Sequence, residues 1–258
     1  MKQGNKQRKP LLMAVCGKGG VGKTSISAIV VRILAEKTDC RILAIDADPS
    51  VGLATALGFR GNRTVNDIRN DLIGRIENGE SENRQALLAA LDYEVLAALE
   101  ERDNVAFLAI GRPEREGCYC KVNAMLRDII ESVARNFDYV VIDGEAGIEQ
   151  VNRRVLATVT HLLLVSDASA KGLKVIETIG TVAGLAVHYE KAGLILNRIR
   201  GEREKNSLSL PSAIPLIGWV TEDDCIRDAD IAGRNLMDIT PCPAIEAVKR
   251  AMKDFVDQ

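Results

Sequence analysis

Gly17-Lys18-Gly19-Gly20-Val21-Gly22-Lys23-Thr24 constrains this chain more than any other stretch, because its flanks dictate the surrounding structure as well. It fits the pattern G-x-x-x-x-G-K-[ST]. Before it, Leu11 to Cys16 is a short apolar run that reads as a buried strand. After it, Ser25 to Lys37 places Ile26, Ile29, Val30, Ile33 and Leu34 at helical spacing. A strand running through a glycine loop into a helix is the context the pattern requires.

The residue types explain what such a loop can hold. Gly17, Gly19, Gly20 and Gly22 let successive backbone N–H groups approach phosphate oxygens. The positive end of the following helix favours the same anion. Lys23 is expected to reach the β- and γ-phosphates of a nucleotide, and the Thr24 hydroxyl to ligate Mg²⁺. Val21 and Ser25 complete the phosphate-facing loop and the first helical turn.

Strand-like and helix-like segments alternate along the rest of the chain, which predicts an α/β fold: a mostly parallel sheet flanked by helices on both faces. Arg41 to Asp46, Val105 to Ile110, Tyr139 to Asp143, His161 to Val165 and Gly193 to Leu196 read as strands, with Ile214 to Gly218 as the last. Residues 61 to 104 are the least legible, apart from an amphipathic helix over Arg84 to Glu100. At 258 residues the chain suffices for one large domain, here taken as 11–258. Residues 1–10, with Lys2, Lys6, Arg8 and Lys9, read as a disordered basic tail; no apolar stretch behind them resembles a secretion signal. No apolar run approaches the roughly 20 residues that span a bilayer, and a formal charge of -2 gives no reason to expect nucleic-acid binding. The expected compartment is cytoplasmic.

Ligands of such sheets gather beyond the carboxyl ends of the strands, where two acidic motifs lie. Asp143 ends an apolar strand and suits a Mg²⁺ position, holding the ion directly or through water. Gly147, four residues on, can offer a backbone N–H to the γ-phosphate. Asp46 and Asp48, in Asp46-Ala47-Asp48-Pro49, are candidates for a loop that senses phosphate and positions water. Asn197 follows another strand and can both donate and accept, which suits adenine; no carboxylate stands near it to read guanine. These residues point to ATP or ADP with Mg²⁺.

Lys18 carries the reading further. Lys18-Gly19-Gly20-Val21-Gly22-Lys23-Thr24 resembles the deviant Walker A loop of the MinD/ParA/nitrogenase-iron-protein (SIMIBI) class of ATPases. The resemblance extends to Asp46-x-Asp48-Pro49, Asp143-x-x-x-Gly147, Asn197 and Ile214-Pro215-Leu216. It implies a single-domain P-loop NTPase that works as a homodimer, with Lys18 reaching the nucleotide of the partner subunit. Catalysis would then rest on Lys18, Lys23 and Asp48. Within the class, the chain is most similar to the CooC-type ATPases, through Gly117-Cys118-Tyr119-Cys120 and the run Ala146-Gly147-Ile148-Glu149. That likeness implies a role in metallocentre maturation, with a nickel–iron–sulfur carbon monoxide dehydrogenase or a related metalloenzyme as client. Gly144-Glu145 departs from the expected pair and brings an acidic residue close to the phosphates.

The thiols allow a separate argument. Cys118 and Cys120 complete half of a tetrahedral set, and a two-fold axis beside them would bring the other half, holding Ni²⁺ or Zn²⁺ across the dimer. Cys16, Cys40, Cys225 and Cys242 read as isolated small thiols, and His161 and His188 as structural residues. Two other classes compete: a MinD/ParA-type positioning switch, and an iron–sulfur electron donor similar to the nitrogenase iron protein, in which the thiols hold a cluster.

Overall fold

Apolar runs of five or six residues build the strands at the centre of the sheet: Leu11–Cys16 (β1), Ile42–Asp46 (β2), Val105–Ala109 (β4), Tyr139–Asp143 (β5) and His161–Ser166 (β6). Almost every residue in them is buried, as expected for parallel strands covered on both faces. A computed structural model describes residues 9–78, 84–112, 120–144, 155, 158–186 and 189–256. The remaining strands are Glu100–Arg102 (β3), Lys191–Ile199 (β7) and Leu216–Thr221 (β8). The eight are ordered β3-β4-β2-β5-β1-β6-β7-β8; β3 pairs antiparallel with β4, and every other pair is parallel.

Among the described residues nine helices accompany this sheet: Lys23–Ala35 (α1), Gly52–Leu57 (α2), Val65–Glu77 (α3), Arg84–Ala98 (α4), Cys120–Ala134 (α5), Ala170–Ala186 (α6), Glu202–Ser207 (α7), Asp224–Ile231 (α8) and Pro243–Val256 (α9). Strand alternation divides the core in two. On one face Ala14, Leu43, Ile142 and Leu164 pack against α3 to α6, through Ile68, Val95, Leu126 and Ile176. On the other, Met13, Val15, Ala44 and Val141 pack against α1, α2, α8 and α9, through Ile26, Leu53, Ala229 and Val248. Ile245, Val248, Met252 and Phe255 therefore spend the apolar face of α9 on the core. None of the described helices is long and apolar enough to cross a membrane.

The predicted α/β architecture is the one observed, with local differences. β7 runs on to Ile199, so Asn197 lies within the strand rather than after it. α4 ends at Ala98, leaving Glu100 to open β3. β3 is Glu-Glu-Arg on the sheet edge, so it lacks the apolar signal of a buried strand; the turn at Asp103 (φ +55°) folds it back onto β4. α3 lies within the segment that is hardest to read, because Val65, Ile68, Leu72 and Ile73 are interspersed with charges. The last strand runs to Thr221 rather than stopping at Gly218. Gly218 does not break the strand: it leaves room for Ala251 of α9, which a Cβ would strike.

Candidate functional site

Register explains how the two strand-end aspartates meet. Ile42 to Asp46 pairs with Tyr139 to Asp143 in parallel, so Asp46 lies directly beside Asp143. Their side chains share the sheet face that carries Ala44 and Val141, which is the face covered by α1. Helix α1 meets them with two hydroxyls one turn apart. Thr24 Oγ1 donates to Asp143 Oδ2 at 2.6 Å, and Ser27 Oγ donates to Asp143 Oδ1 at 3.0 Å. Ser27 is fully buried and was not among the expected site residues; its place three residues after Thr24 on α1 is the signal for it.

The carboxylate of Asp46 is entirely buried and organises the loop it opens: Oδ1 accepts from Asp48 N–H at 3.0 Å and Oδ2 from Leu53 N–H at 2.8 Å. Burial, followed by the charge of Asp143, pushes Asp46 up to about 7, against the pull of those two N–H groups. Burial also pushes Asp143 up to about 6, although Thr24, Ser27 and Lys23 draw it down. Two carboxylates on adjacent strands cannot both ionise cheaply in this environment. A divalent cation beside them favours the charged form of each. The donors at hand, Thr24 hydroxyl and Asp143 carboxylate, are hard oxygens of the kind Mg²⁺ selects.

The loop above this pair is braced from both sides. Gly17 lies against the Val165 carbonyl and Gly22 against the Asn197 amide, and neither has room for a Cβ. Gly19, Gly20 and Val21 lie between them; the Gly20 and Val21 carbonyls are themselves used. Asn197 Nδ2 donates to the Val21 carbonyl at 2.8 Å, while its Oδ1 accepts from Arg198 N–H at 3.0 Å. Asn197 thus ties the loop to β7 through its amide nitrogen, while its amide oxygen is held by the backbone of its own strand. Arg198 adds a second tie through Nη1 to the Gly20 carbonyl at 3.0 Å, from a left-handed backbone (φ +59°). This role of Arg198 depends on β7 lying beside the loop and has no motif.

Lys23 is buried, with Nζ 3.5 Å from the Lys18 carbonyl, so its ammonium points back over the loop. Lys18 extends the other way and meets Asp167 Oδ2 of its own chain at 3.8 Å. Asp167 is held below the usual carboxylate range: burial opposes this, but hydrogen bonds from Ser169 and the charge of Lys18 outweigh it. Asp48 Oδ1 accepts from Ser50 N–H at 2.9 Å and Ser50 Oγ at 2.6 Å. Val51 closes the same turn at φ +52°, a conformation that costs a β-branched residue about 1–3 kcal/mol.

Ser25 and Asn197 line a cavity of about 340 Å³ with Arg198, Thr221, Glu222 and Asp223, beside the start of α1. A larger cavity of about 550 Å³ opens between Ala35, Phe59 and Val105. It lies at the opposite, amino edge of the sheet and meets none of the site residues. Cys118 and Gly147 lie outside the described residues, as does the side chain of Cys120, which begins α5. His188 is likewise outside them, whereas His161 is buried, with Nδ1 2.9 Å from Thr160 Oγ1. Cys225 and Cys242 are not isolated: with Asp223 they form one cluster, their donor atoms within 4.8 Å of one another.

Residues 12–236 match the family model described as the CobQ/CobB/MinD/ParA nucleotide binding domain. An uncharacterized ATP-binding protein of Methanocaldococcus jannaschii is 35% identical over 226 residues, covering 86% of this chain and 89% of its own. The carbon monoxide dehydrogenase accessory protein CooC of Rhodospirillum rubrum is 28% identical over 241 residues, 89% of this chain and 90% of its own. Among solved structures, the septum site-determining protein MinD of Pyrococcus horikoshii, complexed with Mg-ADP, aligns with a TM-score of 0.67 over 96% of both chains. At 19% identity, that likeness is one of fold. With the glycine loop, the paired carboxylates and a family match over most of its length, the chain belongs to the CobQ/CobB/MinD/ParA nucleotide-binding domain family.

Proposed function

We propose that this protein is a Mg²⁺-dependent ATPase that acts as a homodimer in the assembly of a metal centre. The observation that carries the ATPase reading is the 2.6 Å contact between Thr24 and Asp143 at the foot of the glycine loop. Lys23 and the loop N–H groups bind the phosphates, and Thr24 and Asp143 hold Mg²⁺, which neutralises charge on the phosphate oxygens when bound. Gly147 supplies an N–H to the γ-phosphate. Asp46 fixes the carboxylate loop. Asp48, with one oxygen committed to Ser50, keeps the other to orient water. Asn197 holds the loop and forms part of the wall against which the base docks.

Lys18 supplies the dimer-dependent step. Its pair with Asp167 leaves both side chains about a third exposed, so exchanging that contact for a phosphate of the partner subunit's nucleotide costs little. Lys18→Ala and Asp48→Ala are expected to retain ATP binding and lose turnover. Wild-type phosphate release in either variant removes the role assigned to it.

The metal-centre reading draws on Cys118 and Cys120 and on the Rhodospirillum rubrum relative. Closure of the dimer would bring four thiolates together around Ni²⁺ or Zn²⁺, for delivery to a client such as a carbon monoxide dehydrogenase. Metal titration with and without ATP, alongside the mass of the oligomer, tests it. The expected result is one ion per ATP-bound dimer, lost in Cys118→Ser. Identical binding in both nucleotide states defeats the switch. Recovery with liposomes or DNA only in the presence of ATP would instead favour a positioning role; the burial of the apolar face of α9 argues against the membrane form of that reading.

A further inference from the structure

Asp223, Cys225 and Cys242 converge from two helix starts. Asp223 caps α8, accepting from Cys225 N–H through Oδ1 at 2.9 Å. Its other oxygen, Oδ2, accepts from Ala244 N–H in the first turn of α9, again at 2.9 Å. Beyond these two N–H groups the carboxylate also accepts from the Cys242 thiol, whose proton an incoming ion would displace. Cys242 immediately precedes α9, and its backbone carbonyl accepts from Glu246 N–H. One carboxylate oxygen and the two Sγ atoms all lie within 4.8 Å of one another.

We propose that this cluster is a binding site for a thiophilic divalent cation of the Zn²⁺ class, held by Asp223, Cys225 and Cys242. Tetrahedral zinc, with Zn–S near 2.3 Å and Zn–O near 2.0 Å, spaces its donors roughly 3.6–3.8 Å apart. A contraction of about an ångström or less therefore completes three positions of a tetrahedron. The carboxylate is held by two backbone N–H groups, the kind of outer contact that orients a ligand before the ion arrives. Two sulfurs with one oxygen select a softer ion than the oxygen set at Thr24 and Asp143.

Three protein ligands leave the fourth position open, as in zinc sites that exchange a ligand. Asp223 and Ala244 also line the cavity that reaches Ser25 and Asn197, so the carboxylate edge of the cluster borders the cavity beside the start of α1. Thiolate ligation by Cys225 and Cys242 releases their protons as the ion binds. The bound ion would clamp the start of α8 to the start of α9. Its ligands come from the starts of α8 and α9, which pack on the opposite face of the sheet from the described core residues of α5.

The test titrates the reduced full-length chain with Zn²⁺ against a chromophoric chelator, and with Co²⁺ as a spectroscopic stand-in. The double variant C118S/C120S is expected to keep one equivalent per chain, with thiolate-to-cobalt charge-transfer absorption. In that background, C225S or C242S is expected to weaken Zn²⁺ binding at least tenfold, and D223N to weaken it while preserving the charge-transfer band. Loss of all Zn²⁺ binding in C118S/C120S overturns the proposal, as does unchanged affinity in C225S. Should the serine variants fail to fold by circular dichroism, alkylation of the C118S/C120S chain decides it. Zn²⁺ is expected to protect Cys225 at one equivalent, and equal labelling with and without Zn²⁺ overturns the site.

Discussion

The Asp46/Asp143 pair and the Asp223/Cys225/Cys242 cluster lie on the same face of the sheet, and they were assembled in opposite ways. The first is set by strand register: two parallel strands place their terminal aspartates side by side, and one helix supplies both hydroxyls. The second comes from the starts of two helices that no hydrogen-bond ladder joins, brought together through the Asp223 carboxylate. Register places oxygen donors deep in the core, where burial raises both acids toward neutrality. Helix packing places one half-buried and one buried sulfur where two helix starts meet. The difference teaches that one fold can separate a hard-ion site from a soft-ion site by donor type and by the elements that supply the donors.

The strongest way to break this separation is Lys23→Ala. It is expected to lower ATP turnover by about 10²–10³-fold, since it removes a preorganised charge at the phosphates, and to leave Zn²⁺ stoichiometry unchanged. A loss of Zn²⁺ in the same variant, measured by chelator competition, would show the two sites to be one unit. Asp143→Asn comes next, with Mg²⁺-ATP affinity expected to fall roughly tenfold or more through the loss of a charged ligand. Its amide can still exchange hydrogen bonds with Thr24 and Ser27, so the nucleotide-free fold should survive and gain stability near pH 7.5.

The pH dependence of the empty protein sharpens the same point. Both folded-state values, about 7 and about 6, lie above the ordinary 3.8, so the folded chain binds more protons than the unfolded chain between them. Stability is therefore greatest at the acid end of this window and falls as pH rises through 6 and 7. The expected loss between pH 5 and 7.5 is roughly 2–4 kcal/mol, read from urea midpoints without nucleotide. Asp143→Asn should flatten that slope, and Cys225→Ser should not.

Asp167→Ala should matter less. Freeing Lys18 is expected to lower the ATP concentration needed for dimerisation about two- to fivefold, as befits a partly exposed pair worth under about 1 kcal/mol. Light scattering across an ATP series reads it. The smallest effect is expected for Arg198→Ala, which removes one exposed tie to the Gly20 carbonyl and should weaken nucleotide binding about twofold.

Much of the site is legible in the chain itself. The run from Leu11 to Lys37 declares strand, loop and helix, because glycine spacing and apolar periodicity are local properties. Asp46 and Asp143 are legible as strand ends. Their adjacency is not, since it depends on β5 inserting between β1 and β2. Asn197 shows the limit of reading a residue type. Its amide suits a base, yet the fold spends both ends on the loop and on Arg198. α3 and β3 escape notice because their charges dilute the apolar pattern, and burial of one narrow stripe or one edge suffices to hold them.

By itself the sequence determined the phosphate loop, the alternation of strands and helices, and the family to which they point. Each of these depends on residues within a few positions of one another. Only the tertiary structure decided that Ser27 joins Asp143, that Lys18 rests on Asp167, and that Cys225 meets Cys242 at Asp223. Those contacts arise from strand order and helix packing, which bring distant segments together and leave no local period in the chain.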